Sequence, residues 1–427
     1  MHKFFNPNKV VLIGASSRKG KIGYEILKNI LKSKVKVYPV NPKRDKILGR
    51  KCYKSIEEIN DKIDLAVIAI DAEKCVEEIK KCGENGIKNV IIISGGFKEI
   101  GNIKLEKDLI GIAKKYGIRI IGPNCIGVFN GKNRFNTFFQ RNMDLPSYGN
   151  VSILTQSGTF GIALLEKLAN NGIGISKFVS YGNKADVNEI DIVNYLEEDN
   201  DTRIVAMYVE EIGKEFFEKE YKKPIVILKA GRNKLGSKAA SLHTGAMATN
   251  YEIFKGICRQ KNIIFADDFE EFFGIIEIIA MNWLPYGNKI SIITNGAGPA
   301  VLACDFLDEA ENLKLHDFID LTGSATANDF LKAIDESKAD IILLTFVFQD
   351  APLAETLNEL YDGLKKRKRF YLALVLGGKF VEKQKKKLID LKIPTFEEPK
   401  NVIKSIDKIV GYVKNKKNKK NKIKNKK

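Results

Sequence analysis

Histidine and tryptophan are scarce in this chain of 427 residues, which has three histidines and one tryptophan. Its six cysteines form no CxxC pair and no His/Cys cluster with ligand spacing, so neither a disulfide framework nor a metal site is indicated. Long hydrophobic runs are also missing, because the segment IILLTFVF at 341–348 is far shorter than the ~18 residues needed to cross a bilayer. The start MHKFFNPNKVVLIGA lacks the pattern of a secretion signal. We therefore expect a cytoplasmic protein with no membrane partner.

The net charge of +18 is unevenly distributed along the chain. The last segment, KNKKNKKNKIKNKK at 414–427, holds nine lysines and no acidic residue, and without it the positive excess would be halved. A run of like charges without apolar periodicity predicts a disordered basic tail. Such a tail makes weak phosphate contacts, but no basic module rich in aromatic residues accompanies it. We expect no specific nucleic-acid partner.

Short β-branched segments alternate with helical patterns in three successive parts of the chain. In the first part the order is KVVLIGA, GYEILKNILKS, VKVYPVN, DLAVIAI, CVEEIKKCGENG, NVIIIS, KDLIGIAKKYG and IRIIGPN. A second series starts at VSILTQSGTFG, and a third starts at ISIITNGAGPAVL. Near-continuous apolar strands between helices are typical of parallel sheets covered on both faces. The sequence predicts an α/β fold with three tandem doubly wound domains, at 1–130, 145–285 and 288–413, and a tail at 414–427.

The first strand turns directly into the segment GASSRKGKIG. Glycines permit tight turns there, serines supply hydroxyl groups, and the helix that follows offers backbone N–H groups to a phosphate. The spacing matches neither GxGxxG nor a P-loop, which disfavours NAD and nucleoside triphosphates as ligands. We predict a phosphate cradle here, the alternative being a purely structural turn. Its residues are Gly14, Ser16, Ser17, Lys19, Gly20 and Gly23.

Further strand ends of the first domain carry candidate ligand contacts. Lys43 and Arg44 follow the second strand, where a dinucleotide fold normally has an acid, and a base suits a phosphorylated ribose. NADPH and the 3′-phosphate of coenzyme A both satisfy this. The Gly-rich turns ISGGFKEIG and RIIGPNCIG leave room at the same edge for a long, thin ligand. The candidates from these turns are Ser94, Gly95, Gly96, Gly122, Pro123 and Asn124.

Two segments of the second domain suggest phosphoryl chemistry. In ILTQSGTFG, the residues Ser157, Gly158 and Thr159 stand at a helix start, which favours anions. In GSKAASLHTGAMATN, His243 stands among small side chains. A neutral imidazole is a good nucleophile toward phosphoryl and acyl groups, so a mobile loop could carry chemistry on this residue. The alternative is an ordinary solvated loop histidine.

Taken together, these motifs resemble the α subunits of the ADP-forming acyl-CoA synthetases, which are relatives of succinyl-CoA synthetase. The resemblance runs from about residue 5 to about residue 413 and also includes NPKRDKILG, YGNKADVNEIDIVNYLEED, YVE and KAGRNKLGSKAASLHTGAMA. It implies a Rossmann-like domain that binds coenzyme A, followed by two flavodoxin-like domains. It also implies the reaction acyl-CoA + ADP + phosphate ⇌ acid + CoA + ATP, with acetate as the typical acid.

The resemblance assigns roles to particular residues. In the family, the histidine of an SHTG loop takes a phosphoryl group from an acyl phosphate and carries it to ADP on an ATP-grasp domain; His243 matches it, although Leu242 separates it from the serine. The glutamate that orients this histidine matches Glu210 best, with Glu211 as the alternative. Strand alternation predicts that only one of the two points into the site.

The nucleotide half of the reaction has no place in this chain, because no stretch remains for an ATP-grasp domain. The resemblance therefore implies a separate β subunit that binds ATP or ADP with Mg, in an α2β2 assembly. Lys19 and Asp71 replace prolines that are common in relatives, which leaves the acid substrate open. The alternative function is a non-catalytic regulatory protein that binds CoA or acyl-CoA with the same fold.

Overall fold

The computed structural model of the chain describes residues 1–238 and 250–424. These residues belong to two compact units. The first comprises the described parts of Met1–Asn170, Gly174–Ile225 and Lys229–Ile257, and the second those of Asn171–Ile173, Val226–Leu228 and Cys258–Lys427. Within the described ranges, no helix is both long enough and apolar enough to cross a membrane.

The first sheet has five parallel strands in the order β2-β1-β5-β6-β7. Its strands are β1 (Lys9–Ile13), β2 (Lys36–Val40), β5 (Leu65–Ile68), β6 (Asn89–Ile92) and β7 (Arg119–Ile121), with a small hairpin of β3 (Lys46–Ile47) and β4 (Arg50–Lys51). The helices are α1 (His2–Phe5), α2 (Ile22–Ile30), α3 (Ala72–Glu84) and α4 (Ile103–Tyr116). The central strand β5 is buried along its whole length, and β1 and β6 are buried except for their first residues, as expected for a sheet covered on both faces.

The second sheet has six strands in the order β13-β12-β11-β9-β10-β8. Its strands are β8 (Gly127–Asn130), β9 (Tyr148–Thr155), β10 (Ile175–Ser180), β11 (Ile204–Val209), β12 (Ile225–Lys229) and β13 (Ile264–Ala266). The helices are α5 (Gly158–Asn170), α6 (Glu189–Glu198), α7 (Tyr251–Lys261) and α8 (Phe269–Met281). Strand β8 departs from the predicted parallel pattern, since it follows the end of the first sheet and pairs with β10 in the antiparallel sense.

The third sheet is parallel, with strands in the order β15-β14-β16-β17-β18. Its strands are β14 (Lys289–Thr294), β15 (Lys314–Asp320), β16 (Ile341–Phe346), β17 (Tyr371–Val375) and β18 (Thr395–Phe396). The helices are α9 (Ala297–Asp308), α10 (Ala327–Glu336), α11 (Ala351–Glu355), α12 (Leu357–Lys366), α13 (Lys379–Asp390) and α14 (Pro399–Lys424). The three sheets agree with the predicted α/β class, while the boundaries between domains stay a prediction.

The basic segment from residue 414, for which the sequence predicts disorder, is helical up to Lys424. The first turns of α14 are anchored by buried Val402, Ile406 and Ile409. Once a helix is nucleated, each added residue gains a hydrogen bond, and lysine is a good helix former. Lys417 in this part is exposed, and residues 425–427 lie outside the described residues.

Candidate active site

The loop between β1 and α2 holds strand and helix at backbone contact. Gly14 has φ +94°, a left-handed conformation that favours glycine. A Cβ atom on Gly23 would lie 1.9 Å from the carbonyl oxygen of Gly14, so the start of α2 reaches the strand only because residue 23 has no side chain. Ser16 Oγ accepts a hydrogen bond from the Arg18 N–H at 3.1 Å. The remaining predicted cradle residues, Ser17, Lys19 and Gly20, are exposed at this edge of the sheet.

A buried carboxylate supports this loop. Glu25 Oε1 accepts a hydrogen bond from the Gly20 N–H at 3.2 Å, and Arg141 Nη2 lies 2.6 Å from the same oxygen. Burial raises the pKa of Glu25, but the hydrogen bonds from Arg141 and Gly20 outweigh it, so the pKa lies below its ordinary value. The cradle therefore rests on an ionised side chain.

Asn41, to which the sequence assigned no role, links the end of β2 to the cradle. Its Nδ2 donates to the carbonyl of Ala15 at 2.7 Å, and its Oδ1 accepts from the Lys43 N–H at 2.8 Å. Asparagine in a turn commonly bonds nearby backbone groups, and this signal could have identified it. Lys43 is thereby fixed near the cradle with its side chain exposed.

Hydrogen bonds connect the segment after β6 directly with the segment after β7. The Asn124 N–H donates to the carbonyl of Ser94 at 2.9 Å, and Ser94 Oγ donates to the carbonyl of Ile70 at 2.5 Å. Gly122 has φ +101°, and a Cβ atom there would lie 2.5 Å from the carbonyl oxygen of Ile92. The structure thus brings together at one edge the predicted residues Ser94, Gly95, Gly122, Pro123 and Asn124, as expected for neighbouring parallel strands.

A cleft within the first compact unit opens beside Asn124. It is lined by three predicted residues, Asn124, Glu210 and Glu211, and by five to which the sequence assigned no role. Those five are Lys98, Gln156, Gly182, Asn183 and Lys184. Gln156 directly follows β9 and the segment 182–184 comes just after β10, so the rule that function lies beyond the strand ends would have found four of them.

Glu210 and Glu211 both line this cleft. Strand β11 ends at Val209, so the alternation of strand side chains stops before either glutamate, and the choice between them stays a prediction. Gln156 Oε1 accepts from the backbone N–H of both, at 3.0 Å from Glu211 N. Lys184 Nζ donates to the carbonyl of Glu211 at 3.1 Å. Glu210 is buried and Glu211 is half-buried.

Ser157 stands at the start of α5, as the sequence predicts. Its Oγ accepts from the Phe160 N–H at 3.3 Å, and its carbonyl accepts from Thr155 Oγ1 at 2.7 Å. These bonds hold the first turn of a helix of thirteen residues, with Thr159 exposed and Gly158 half-buried. The positive end of the helix dipole and its N–H groups favour an anion at this position.

His243 lies outside the described residues, which end at 238 and resume at 250. The segment that leads toward it starts beside Glu210. The Ala230 N–H donates to the carbonyl of Val209 at 2.9 Å, and the buried Lys229 Nζ donates to the carbonyl of Glu210 at 3.2 Å. Burial lowers the pKa of Lys229.

Two family models match the chain. One, described as a CoA binding domain, matches residues 8–131, which contain the cradle; the other, described as a succinyl-CoA ligase like flavodoxin domain, matches residues 148–279. Across 96% of its length the chain is 34% identical to the acetate–CoA ligase (ADP-forming) II subunit alpha of Pyrococcus furiosus, of which it covers 98%. The chain belongs to the ADP-forming acetate–CoA ligase family.

Two further comparisons agree with this family. The acetate–CoA ligase (ADP-forming) of Methanocaldococcus jannaschii is 43% identical over 73% of this chain, which spans 45% of that longer protein. A solved structure of the dinucleotide forming acetyl-coenzyme A synthetase 1 of Ca. Korarchaeum cryptofilum, in complex with phosphate and ADP, matches with a TM-score of 0.89 and 30% identity over 97% of both chains. The resemblance drawn from the motifs and the predicted fold class are confirmed. We therefore interpret the cradle and the cleft by comparison with ADP-forming acetate–CoA ligases.

Proposed function

We propose that this chain is the α subunit of an ADP-forming acyl-CoA synthetase that catalyses acyl-CoA + ADP + phosphate ⇌ acid + CoA + ATP, with acetate as the first acid to test. The observation that carries the proposal is the position of Asn124. It belongs to the strand-end edge that holds the cradle, and it also lines the cleft of Glu210 and Glu211. A CoA thioester bound along this edge would reach the cleft.

The residues of the cradle fit the phosphates of CoA. Gly14 and Gly23 allow close packing of the main chain at the end of β1 and the start of α2, since a Cβ atom at either position would collide with main-chain oxygen, and the loop between them carries Ser16 to Gly20. In the proposal, Ser16 to Gly20 bind the pyrophosphate and Lys43 binds the 3′-phosphate of the ribose. The ligand then runs past Ser94 and Gly95 toward Asn124.

The proposed chemistry proceeds in three transfers. Inorganic phosphate attacks the thioester carbon near Gly122–Asn124, the C–S bond breaks, and CoA leaves as the thiolate. An imidazole nitrogen of His243 attacks the phosphorus of the acyl phosphate, and the P–O bond to the acyl group breaks to release the acid. The phosphohistidine then passes its phosphoryl group to ADP.

This chain carries groups that can bind the anions formed in these steps. In the proposal, the start of α5 at Ser157, Gly158 and Thr159 binds the phosphoryl group. Glu210 or Glu211 accepts the second ring N–H of His243, which fixes the tautomer and stabilises the charged ring.

The proposal requires a partner. We place ADP and ATP, with Mg, on a separate ATP-grasp β subunit in an α2β2 assembly, as the resemblance implies. All six cysteines are free thiols, in keeping with the cytoplasmic location that we expect.

Mass spectrometry tests this function directly. The full chain, alone and with the candidate β subunit, is incubated with acetyl-CoA and inorganic phosphate, and peptides are searched for an acid-labile phosphate. We expect it on the peptide that contains His243 and on no peptide of His243→Ala, which should still bind CoA. If no acyl-CoA from a panel gives this adduct with the β subunit present, the chain is a non-catalytic CoA-binding protein.

A further inference from the structure

Asn183 stands between two carboxylates on one side and Asn124 on the other. Its Nδ2 donates to Glu99 Oε2 at 2.6 Å and to Glu106 Oε2 at 2.9 Å. Its Oδ1 accepts from Asn124 Nδ2 at 3.3 Å. Asn183 is 8% exposed, so these partners replace water around its amide.

The hydrogen-bonding partners determine the orientation of the side-chain amides of Asn183 and Asn124. An ionised carboxylate only accepts hydrogen bonds, so the NH2 group of Asn183 must face Glu99 and Glu106. Its oxygen then faces Asn124, which must present its own NH2 group in return. The oxygen of Asn124 is left on the side of Gly95, where it lies 3.2 Å from the position of a Cβ atom on that glycine.

Glu99 is the better anchored of the two carboxylates. Its Oε1 accepts from the backbone N–H of Gly96 at 2.5 Å and of Phe97 at 3.1 Å, which leaves Oε2 for Asn183. Burial raises the pKa of Glu99, but the hydrogen bonds from Asn183 and this backbone outweigh it and the pKa lies below its ordinary value. Lys98 Nζ donates to the carbonyl of Asn183 at 2.8 Å and lies 3.9 Å from Glu106 Oε1, where it offsets the charge of that carboxylate.

We propose that Glu99 is a positioning residue which, through Asn183, sets the direction in which the amide of Asn124 meets the ligand. The inference rests on the proposed function for the contact between Asn124 and the acyl-CoA. Because an amide has a donor end and an acceptor end, a reversed Asn124 would place a donor where the site offers an acceptor. In this proposal Glu99 does not contact the ligand, because it acts on Asn183, which in turn orients Asn124.

The substitution Glu99→Gln disrupts the series of hydrogen bonds that runs from Glu99 through Asn183 to Asn124. A glutamine can keep its oxygen on the Gly96 and Phe97 N–H groups only by turning its NH2 group toward the NH2 group of Asn183. Glu106→Gln is the matched variant, since its amide oxygen can stay on Asn183 while its NH2 group takes the place of Oε1, 3.9 Å from Lys98 Nζ. Glu84→Gln, on the exposed part of α3, is the surface control.

The first readout is the side-chain NH2 resonance of Asn124 in full-length protein labelled with 15N-asparagine, assigned by its loss in Asn124→Ser. We expect Glu99→Gln to shift this resonance, while Glu106→Gln and Glu84→Gln leave it in place. If the Asn124 NH2 resonance of Glu99→Gln has the same chemical shift as in the wild-type protein, the proposal is wrong, whatever the activity of the enzyme.

The second readout is turnover of the complex with the β subunit. We expect Glu99→Gln to lower kcat about ten-fold with the KM for acyl-CoA within about two-fold, because a misoriented contact affects the reacting geometry more than CoA binding. Glu106→Gln should lose less activity, and equal losses in both variants together with equally lowered melting temperatures would overturn the proposal. If the wild-type complex turns over no acyl-CoA, the proposed function is wrong. The resonance of Asn124 tests separately whether Glu99 determines the orientation of the Asn124 amide.

Discussion

Glu25 and Arg141 form an ion pair under the first glycine-rich loop, with 2.6 Å between Arg141 Nη2 and Glu25 Oε1. Arg141 comes from the polar stretch that separates the first two series of strands, and Glu25 comes from the first turn of α2. The Gly20 N–H joins the same oxygen. A segment that reads as a linker in the sequence thus helps to shape the proposed CoA site.

Glu25→Gln should destabilise the protein more at neutral pH than at low pH. The folded state lowers the pKa of Glu25, so its stabilising contribution is present above the unfolded value of 4.5 and is lost as the pH falls through the folded value. We expect a deficit of about 1–3 kcal/mol at pH 7, in line with hydrogen bonds to charged groups. Urea unfolding of both proteins at pH 7 and pH 4 measures it. A deficit that does not shrink at pH 4 contradicts this account.

Gly23→Ala should disable CoA binding. The new methyl group would meet the carbonyl oxygen of Gly14 at 1.9 Å and force α2 away from β1, at a cost of roughly 1–3 kcal/mol. Gly111→Ala is the control, because it lies within α4 with no atom in reach and alanine favours a helix. Calorimetric titration with CoA should show a large loss of affinity for the first variant only. Unchanged affinity in Gly23→Ala would remove the cradle from the CoA site.

Gly182→Ala should open the cleft. Gly182 has φ +50°, and a Cβ atom would meet the carbonyl oxygen of Asn124 at 2.2 Å. Gly86 also has a positive φ, +74°, but has nothing near a Cβ atom, so Gly86→Ala reports the left-handed strain alone, about 1–2 kcal/mol. We expect Gly182→Ala to lower both the melting temperature and the yield of phosphohistidine more than the control. Equal effects would mean that the contact with Asn124 is unimportant.

Gln156→Leu should loosen the strand end that carries both glutamates. It leaves the backbone N–H groups of Glu210 and Glu211 without their acceptor, which costs about 1–3 kcal/mol per buried group. Gln156→Glu keeps an acceptor and should fold better, yet it adds a negative charge beside the two carboxylates and so should weaken phosphate binding. Thermal unfolding and the KM for phosphate distinguish the two effects. A Gln156→Glu protein with normal KM for phosphate would exclude phosphate from this cleft.

Glu210→Gln should reduce phosphohistidine formation more than Glu211→Gln. Glu210 is the more deeply buried of the two, and the segment leading to His243 is bonded to it through Lys229. A buried carboxylate acts on an imidazole with less screening by water. Quantitative mass spectrometry of the His243 peptide compares the variants. A larger loss in Glu211→Gln would assign the pairing to that residue instead.

The first sheet and its ligand edge could be predicted because glycine marks the turns. At Gly14 and Gly122 the backbone is left-handed and no side chain fits, so the sequence itself carries the signal. Strand β15 is difficult to recognise in the sequence for the opposite reason. It lies at the edge of its sheet and is largely exposed, and its residues, KLHDFID, include charged side chains that hide the strand pattern.

The cleft was only partly predictable, because it joins ends of strands from two sheets. Asn183 and Gln156 follow strands β10 and β9, whereas Asn124 follows β7 of the first sheet. They meet through backbone hydrogen bonds from the Asn183 N–H to the carbonyl of Pro123 at 3.0 Å and from the Ala185 N–H to the carbonyl of Gly122 at 3.1 Å. The nearby antiparallel strand β8 has only four residues and no turn signal typical of a hairpin. Glu99 could not be identified from its position, since its role depends on the partner Asn183 at a separation of 84 residues.

Strand β8 also bears on how such chains can be recombined. It begins six residues after the end of β7 and completes the second sheet by pairing with β10. A gene cut after residue 131, where the CoA binding domain match ends, would remove this strand and leave the edge of β10 open to pairing with other chains. Exchange of the CoA-binding part between relatives therefore requires a joint before Gly122, which keeps β8 together with β10.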